Sequence, residues 1–204
     1  MLETEAKEIY EELMKNNRGA KFEKLVERVT SPYYSTFPGY RKVLHDIYVP
    51  SVKGGLTQVD VVMIHENGIY VFECKDTQGK VYSNNSSKLW NYSNKLSSYR
   101  SLSPVEQNKI HIRALAGYLN LDEDIFKSWV VFSTFSDLHV SKTDNVTIEQ
   151  FTYLSAALKK EINYSEVIFT PKEVDEIAEN LERCYEVSYV KRLEHLKEVR
   201  GIGR

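Results

Sequence analysis

Two cysteines in 204 residues, Cys74 and Cys184, are too few for a disulfide framework or a four-thiolate zinc site, and both are read as reduced and structural. No apolar run approaches the roughly 18 residues that cross a bilayer. The opening Met1-Leu2-Glu3-Thr4-Glu5 carries acids where a secretory signal carries basic residues and an apolar stretch, so a cytoplasmic protein with no membrane association is expected. The histidines His45, His65, His111, His139 and His195 include no His-x-His or His-Glu-x-x-His spacing, which disfavours a zinc enzyme. A Walker loop, a Rossmann glycine fingerprint and a Gly-x-Ser-x-Gly elbow are also missing, which argues against an NTPase, a dehydrogenase and an elbow-type hydrolase. A large positive charge is lacking too: the net charge is −2, so the chain is not a generally basic nucleic-acid binder.

What is present suits one globular domain with a terminal extension. The chain is 42% apolar, 12% aromatic and 27% charged, enough for a core of its own. Its charge is uneven. Residues 79–111 hold Lys80, Lys88, Lys95, Arg100 and Lys109 against the single acid Glu106, residues 122–183 are acidic, and the tail 187–204 is basic again. A polyanion should therefore meet the middle segment.

Hydrophobic spacing predicts helices over 4–16 and 19–30, then strands over 43–49, Gln58–Ile64 and Ile69–Lys75, the last two joined at Asn67-Gly68 as a tight type I′ hairpin. Both faces of this pair are apolar, which marks central strands covered on both sides. A short hairpin is expected around Asn84–Ser87. A helix should start at Ser103-Pro104 with Glu106 completing a capping box. Strands at Trp129–Thr134 and Val146–Ile148 and helices at about 150–161, 171–185 and 187–199 complete an α/β fold with a mixed sheet flanked by helices. The division expected is an N-terminal helix (1–18), a core domain (19–186) and a basic C-terminal helical tail (187–204), an exposed helix or interaction segment carrying Lys191, Arg192, Lys197 and Arg200.

If Asn67 and Gly68 form the hairpin loop, Asp60 lies opposite Lys75, and parity puts Asp60, Glu73 and Lys75 on one face, with Asp60 and Glu73 diagonal neighbours at roughly 7–8 Å. Two carboxylates and the Cys74 carbonyl suit a hard cation such as Mg²⁺, which takes oxygen ligands at about 2.0–2.1 Å and keeps several waters. Lys75 could orient a metal-bound water and compensate phosphate charge. A cross-strand Asp–Lys ion pair is the simpler explanation of the same residues. Burial counts against it, since three ionisable groups on an apolar hairpin are expensive to desolvate without a metal or a close network.

Asp60, followed by Gly68-Ile69-Tyr70-Val71-Phe72-Glu73-Cys74-Lys75-Asp76 and Gly79, resembles the NERD (nuclease-related) domain of the PD-(D/E)XK nuclease-like superfamily. The resemblance extends upstream to Gly19-Ala20-Lys21-Phe22-Glu23-Lys24-Leu25-Val26, similar to the family's Gly-x-x-x-Glu-x-x-Val helix. Downstream it takes in Trp90, Ser103-Pro104-Val105-Glu106-Gln107 and Trp129–Ser133, and in all it spans about residues 19–183. Val59 stands where the motif has proline and Ser103 where it has asparagine; neither change removes a ligand. The resemblance implies a restriction-endonuclease-like PD-(D/E)XK core. It also implies a Mg²⁺- or Mn²⁺-dependent nuclease acting on DNA, with RNA as another possible substrate, in which a metal-activated water attacks phosphorus.

On that reading Asp60, Glu73 and the Cys74 carbonyl bind the metal, Glu23 assists from its helix, and Lys75 positions the water. Without the resemblance, Glu23 reads as a solvated helix acid. Gln107, on one face with His111, Ala114 and Tyr118, is either a site amide or a surface one. His111 itself reads as a packing histidine. Lys80, Lys88, Tyr92, Lys95 and Arg100 interleave bases and aromatics as a nucleic-acid contact, while Trp90 reads as core. The alternative function is a non-catalytic nucleic-acid-binding or protein-interaction module retaining the fold, with a homo-oligomer or a protein partner engaged through the tail.

Overall fold

A computed structural model describes residues 2–83 and 88–200 of the chain, with side chains described as far as Glu198. Its centre is a five-stranded mixed sheet built from β1 (Arg41–Pro50), β2 (Leu56–His65), β3 (Gly68–Lys75), β7 (Phe126–Phe132) and β9 (Val146–Gln150), in that spatial order. β1, β2 and β3 run antiparallel, while β3, β7 and β9 run parallel. Val61, Met63, Tyr70 and Phe72 pack on one face beneath α2 (Arg18–Thr30) and α4 (Phe151–Tyr164). Val62, Ile64, Ile69 and Val71 pack on the other beneath α3 (Pro104–Leu119) and α5 (Pro171–Glu182). The doubly apolar β2 and β3 thus occupy the middle of a three-layer structure, as their composition requires.

A second sheet, in the order β6 (Ser98–Leu102), β5 (Leu89–Ser93), β4 (Gly79–Tyr82) and β8 (Ser136–His139), follows directly from the end of β3 and packs Val81 and Trp90 against Val130 and Phe132. The expected turn at Asn84–Ser87 lies outside the described residues. The tail folds back as α6 (Tyr189–Arg200), burying Leu193 and Leu196 against Ala6 and Tyr10 of α1 (Glu3–Lys15). Arg192, expected on an exposed helix, is only 5% exposed. It lies over the rings of Tyr10, Tyr48 and Tyr189 and donates to Asp46, whereas Lys191 and Lys197 remain exposed. No described helix is long and apolar enough to cross a membrane.

The β2–β3 hairpin differs from the sequence expectation in one respect that bears on the site. His65 pairs with Gly68, so the loop residues are Glu66 and Asn67 rather than Asn67 and Gly68. The cause is tertiary. The Glu66 carbonyl accepts from the Ile168 and Phe169 amides, and the buried Asn67 carboxamide donates to Ile162 O and accepts from the Tyr70 hydroxyl. The register therefore moves by two residues, which changes partners but not faces.

Candidate active site

The paired rungs of β2 and β3 end at Val61 and Phe72. Continuing the same count puts Asp60 opposite Glu73, not Lys75. Beyond the last rung the side chain takes over from the backbone: Asp60 Oδ2 accepts the Cys74 N–H at 2.8 Å. The alternation of β2 also breaks here, since Val59 joins Val62 and Ile64 on one face while Val61 and Met63 lie on the other. On the neighbouring strand Asp46 sits at φ 51, a left-handed conformation unusual for a residue other than glycine, and neither Asp46 nor Asp60 takes part in the β1–β2 pairing that continues on both sides. The aspartate thus stands at an irregularity where two central strands part.

Glu73 is nearly enclosed, its side chain 5% exposed. Lys75 Nζ lies 2.5 Å from its Oε1, and His111 Nε2 lies 3.0 Å from its Oε2. His111 in turn meets Thr57 Oγ1 through Nδ1 at 2.8 Å. The platform for this histidine is α3, which Ser103 caps by accepting the Val105 amide at 3.2 Å, in place of the expected box with Glu106. The fully buried Asn108 fixes the helix over the sheet by donating to Val71 O, Ser128 Oγ and Trp129 O, on β3 and β7.

The charges at this centre oppose one another. Burial pushes the Asp60 carboxyl well above the usual carboxylate range, and the adjacent Glu73 and then Glu23 push the same way. Burial alone would raise Glu73 also, but the Lys75 ammonium and the His111 hydrogen bond outweigh it and hold this carboxyl down to about 2. Burial works against the Lys75 cation, yet Glu73 and Asp60 raise it above its ordinary value. The Cys74 thiol is pushed well up by burial and by Asp60, so it is neutral and no nucleophile. Two carboxylates beside one ammonium leave a negative surplus that a cation would relieve. The donor set is all hard oxygen, which fits Mg²⁺ or Mn²⁺ with waters completing the shell. Among the described residues, no three His, Cys, Asp or Glu side chains converge on one point.

Glu23 lines a cavity of about 510 Å³ together with Tyr10, His45, Asp46 and Arg192, and its charge acts on Asp60. Gln107, one turn before His111, keeps a buried Oε1 with no protein hydrogen-bond partner. A smaller cavity of about 210 Å³ opens between Arg18, Asp76, Thr77, Lys80, Tyr92 and Tyr99, where the second sheet joins β3. Lys80, Lys88, Lys95 and Arg100 are exposed on that sheet. Tyr92 is 5% exposed and stacked on Tyr99, whose own ring is 51% exposed, so Tyr99 rather than Tyr92 presents the accessible aromatic face. A separate cleft of about 890 Å³, rich in acids from Glu106, Glu123, Asp124, Asp144 and Glu161, contains none of Asp60, Glu73 or Lys75.

The sequence reading placed Asp60, Glu73 and Lys75 together, and the structure joins them through the Cys74 amide and the Glu73 carboxylate. It passed over Thr57, Asn108 and the part His111 plays. The four-residue spacing of Gln107 and His111 on one helix face was the available signal for the last. A sequence profile of the family described as "Nuclease-related domain" (NERD) matches residues 18–133, more than half of the chain. An uncharacterized protein of Bacillus anthracis is 34% identical over 100 residues, covering 48% of this chain and 45% of the relative. The aligned part thus spans less than half of that protein's length. No solved structure matches.

Proposed function

Because the chain belongs to the nuclease-related domain family, we propose that it is a divalent-cation-dependent nuclease that hydrolyses DNA phosphodiester bonds at Asp60, Glu73 and Lys75. The observation that carries this reading is the juxtaposition of Asp60 and Glu73, two carboxylates at a strand irregularity, one held high in its titration and the other low. Asp60 and Glu73, with the backbone carbonyl of Cys74, would hold Mg²⁺ or Mn²⁺. When bound, such an ion offsets phosphate charge and acidifies water.

The remaining roles fall to the chain itself. Lys75 keeps a full positive charge near neutral pH, so its ammonium can orient an attacking water and offset charge developing on phosphorus. Glu23 contributes negative potential from α2. The partnerless oxygen of Gln107 is suited to accept a hydrogen bond from a water or a substrate hydroxyl. Lys80, Lys88, Lys95 and Arg100 would neutralise backbone phosphates on the second sheet, with Tyr99 offering a stacking face beside Tyr92. A cytoplasmic setting accords with the two buried free thiols. The divisions 1–18, 19–186 and 187–204 are proposed functional units, the tail retaining Lys191 and Lys197 for a partner or a second copy.

A second reading, a nucleic-acid-binding or protein-interaction module with a structural carboxylate network, is favoured by one observation. Both oxygens of Glu73 already have protein partners. Cleavage of supercoiled, linear and single-stranded DNA in Mg²⁺ or Mn²⁺ separates the two. The nuclease reading expects activity that EDTA removes and that Asp60→Asn and Lys75→Ala each lower by at least about 100-fold, the scale of losing one charge-stabilising group. Activity indifferent to both substitutions defeats it.

A further inference from the structure

The enclosed Glu73 carboxylate has two unlike oxygens. Oε1 lies against Lys75 Nζ, whereas Oε2 is taken by His111 Nε2. An ionised carboxylate can only accept, so Nε2 of His111 must carry a proton. When the ring is neutral, Nδ1 is then an acceptor, and its neighbour at 2.8 Å, the Thr57 hydroxyl, is a group able to donate. Thr57 is 8% exposed and the His111 side chain 13%, so water has little room to compete with either bond. The chain also links three elements: Thr57 on β2, His111 on α3 and Glu73 on β3. Of these, α3 is independently fixed by Asn108.

We propose that Thr57 and His111 are positioning residues for Glu73, tying down Oε2 so that only Oε1 is presented to a divalent cation. The partner of Oε2 is then part of a cation site, while Oε1, which a cation would use, keeps Lys75 Nζ as its neighbour. A carboxylate restrained in this way is a one-oxygen ligand. That suits a small cation that demands regular geometry and keeps several waters. The inference rests on the reading of Glu73 as a cation ligand and adds to it the residues that set which atom binds.

The test is Mn²⁺ calorimetry on the full chain without nucleic acid, comparing wild type with His111→Ala, His111→Gln, Thr57→Val and Glu73→Gln, alongside nitrogen-15 spectra of the His111 ring. Loss of a hydrogen-bonded support of this kind lowers metal affinity about 10–100-fold, and that is the loss expected for His111→Ala. His111→Gln, whose amide can still donate to Oε2, recovers part of it. Thr57→Val weakens binding less and mixes the ring tautomers, whereas the wild-type ring is protonated at Nε2. A merely structural histidine would lower the melting temperature and leave the Mn²⁺ affinity of the folded protein unchanged. Affinity within twofold of wild type in folded His111→Ala, or in both His111→Gln and Thr57→Val should His111→Ala not fold, overturns the inference while leaving the catalytic reading in place. Wild-type uptake that is absent or indifferent to Glu73→Gln overturns the catalytic reading and the inference together.

Discussion

Asp60 shows most directly how this centre differs from an ordinary set of ion pairs. Its carboxyl is raised by burial and by Glu73, so its ionised form costs folding free energy, and a group raised in the folded state stabilises most below its unfolded value. That contribution is full below about pH 3.9 and is lost as pH rises through the folded value. Glu73 has the opposite sign: its contribution is present above about 4.5 and disappears as pH falls towards about 2. Asp60→Asn keeps an oxygen that can accept the Cys74 N–H and discards the charge. The metal-free variant should therefore melt above wild type at pH 8, with the difference shrinking towards pH 4, and it should take up less Mn²⁺. Calorimetric melts across that range check it; a variant less stable than wild type at pH 8 would show that Asp60 is compensated by protein alone. At this scale the sequence was informative about which residues meet: a two-residue shift leaves Glu73 and Lys75 on their face, and Asp60, although the alternation of β2 breaks beside it, still reaches the Cys74 amide. On His111 it offered only the shared face with Gln107, since a helix face does not declare which of its polar groups points at a sheet.

At the scale of elements, the central strands and α3 carry the site. Register was poorly legible because both faces of β2 and β3 are apolar, so no hydrophobic penalty distinguishes a loop at Asn67-Gly68 from one at Glu66-Asn67. The outcome was set by contacts with Ile162, Ile168 and Phe169, nearly one hundred residues further along the chain. β6 and β8 went unread for a different reason: Ser98–Leu102 and Ser136–His139 are short and polar, and they are strands because β5 and β4 lie beside them. On α2 the buried positions are Phe22, Val26 and Thr30, whereas the apolar Leu25 between them is 46% exposed. The joint between α3 and the sheet can be tested through Asn108→Ala. Three donor contacts vanish from a buried position, and a loss of about 2–3 kcal/mol in urea unfolding is expected at roughly 1 kcal/mol per hydrogen bond. A loss under about 0.5 kcal/mol would mean that the partnerless Asn108 Oδ1 offsets what the amide donor contributes.

Over the whole molecule, charge is distributed unevenly. The net charge of −2 conceals a basic outer sheet next to the carboxylate pair and an acidic cleft elsewhere on the surface. The tail, whose sequence looked like a free basic arm, spends Arg192 on three tyrosine rings and Asp46, because a guanidinium stacks on aromatic faces where its stem and plane can be buried. Overall architecture was thus legible from period and punctuation, but the docking of α6 was not, since it depends on aromatics contributed by α1 and β1.

The acidic cleft gives the account a built-in competitor for a divalent ion, and paramagnetic broadening by substoichiometric Mn²⁺ in amide NMR spectra distinguishes the two places. The signals of Asp60, Glu73, Cys74 and Lys75 should broaden first, and Asp60→Asn should remove the effect. Broadening that begins instead at Glu123, Asp124 and Asp144, and persists in Asp60→Asn, would contradict it.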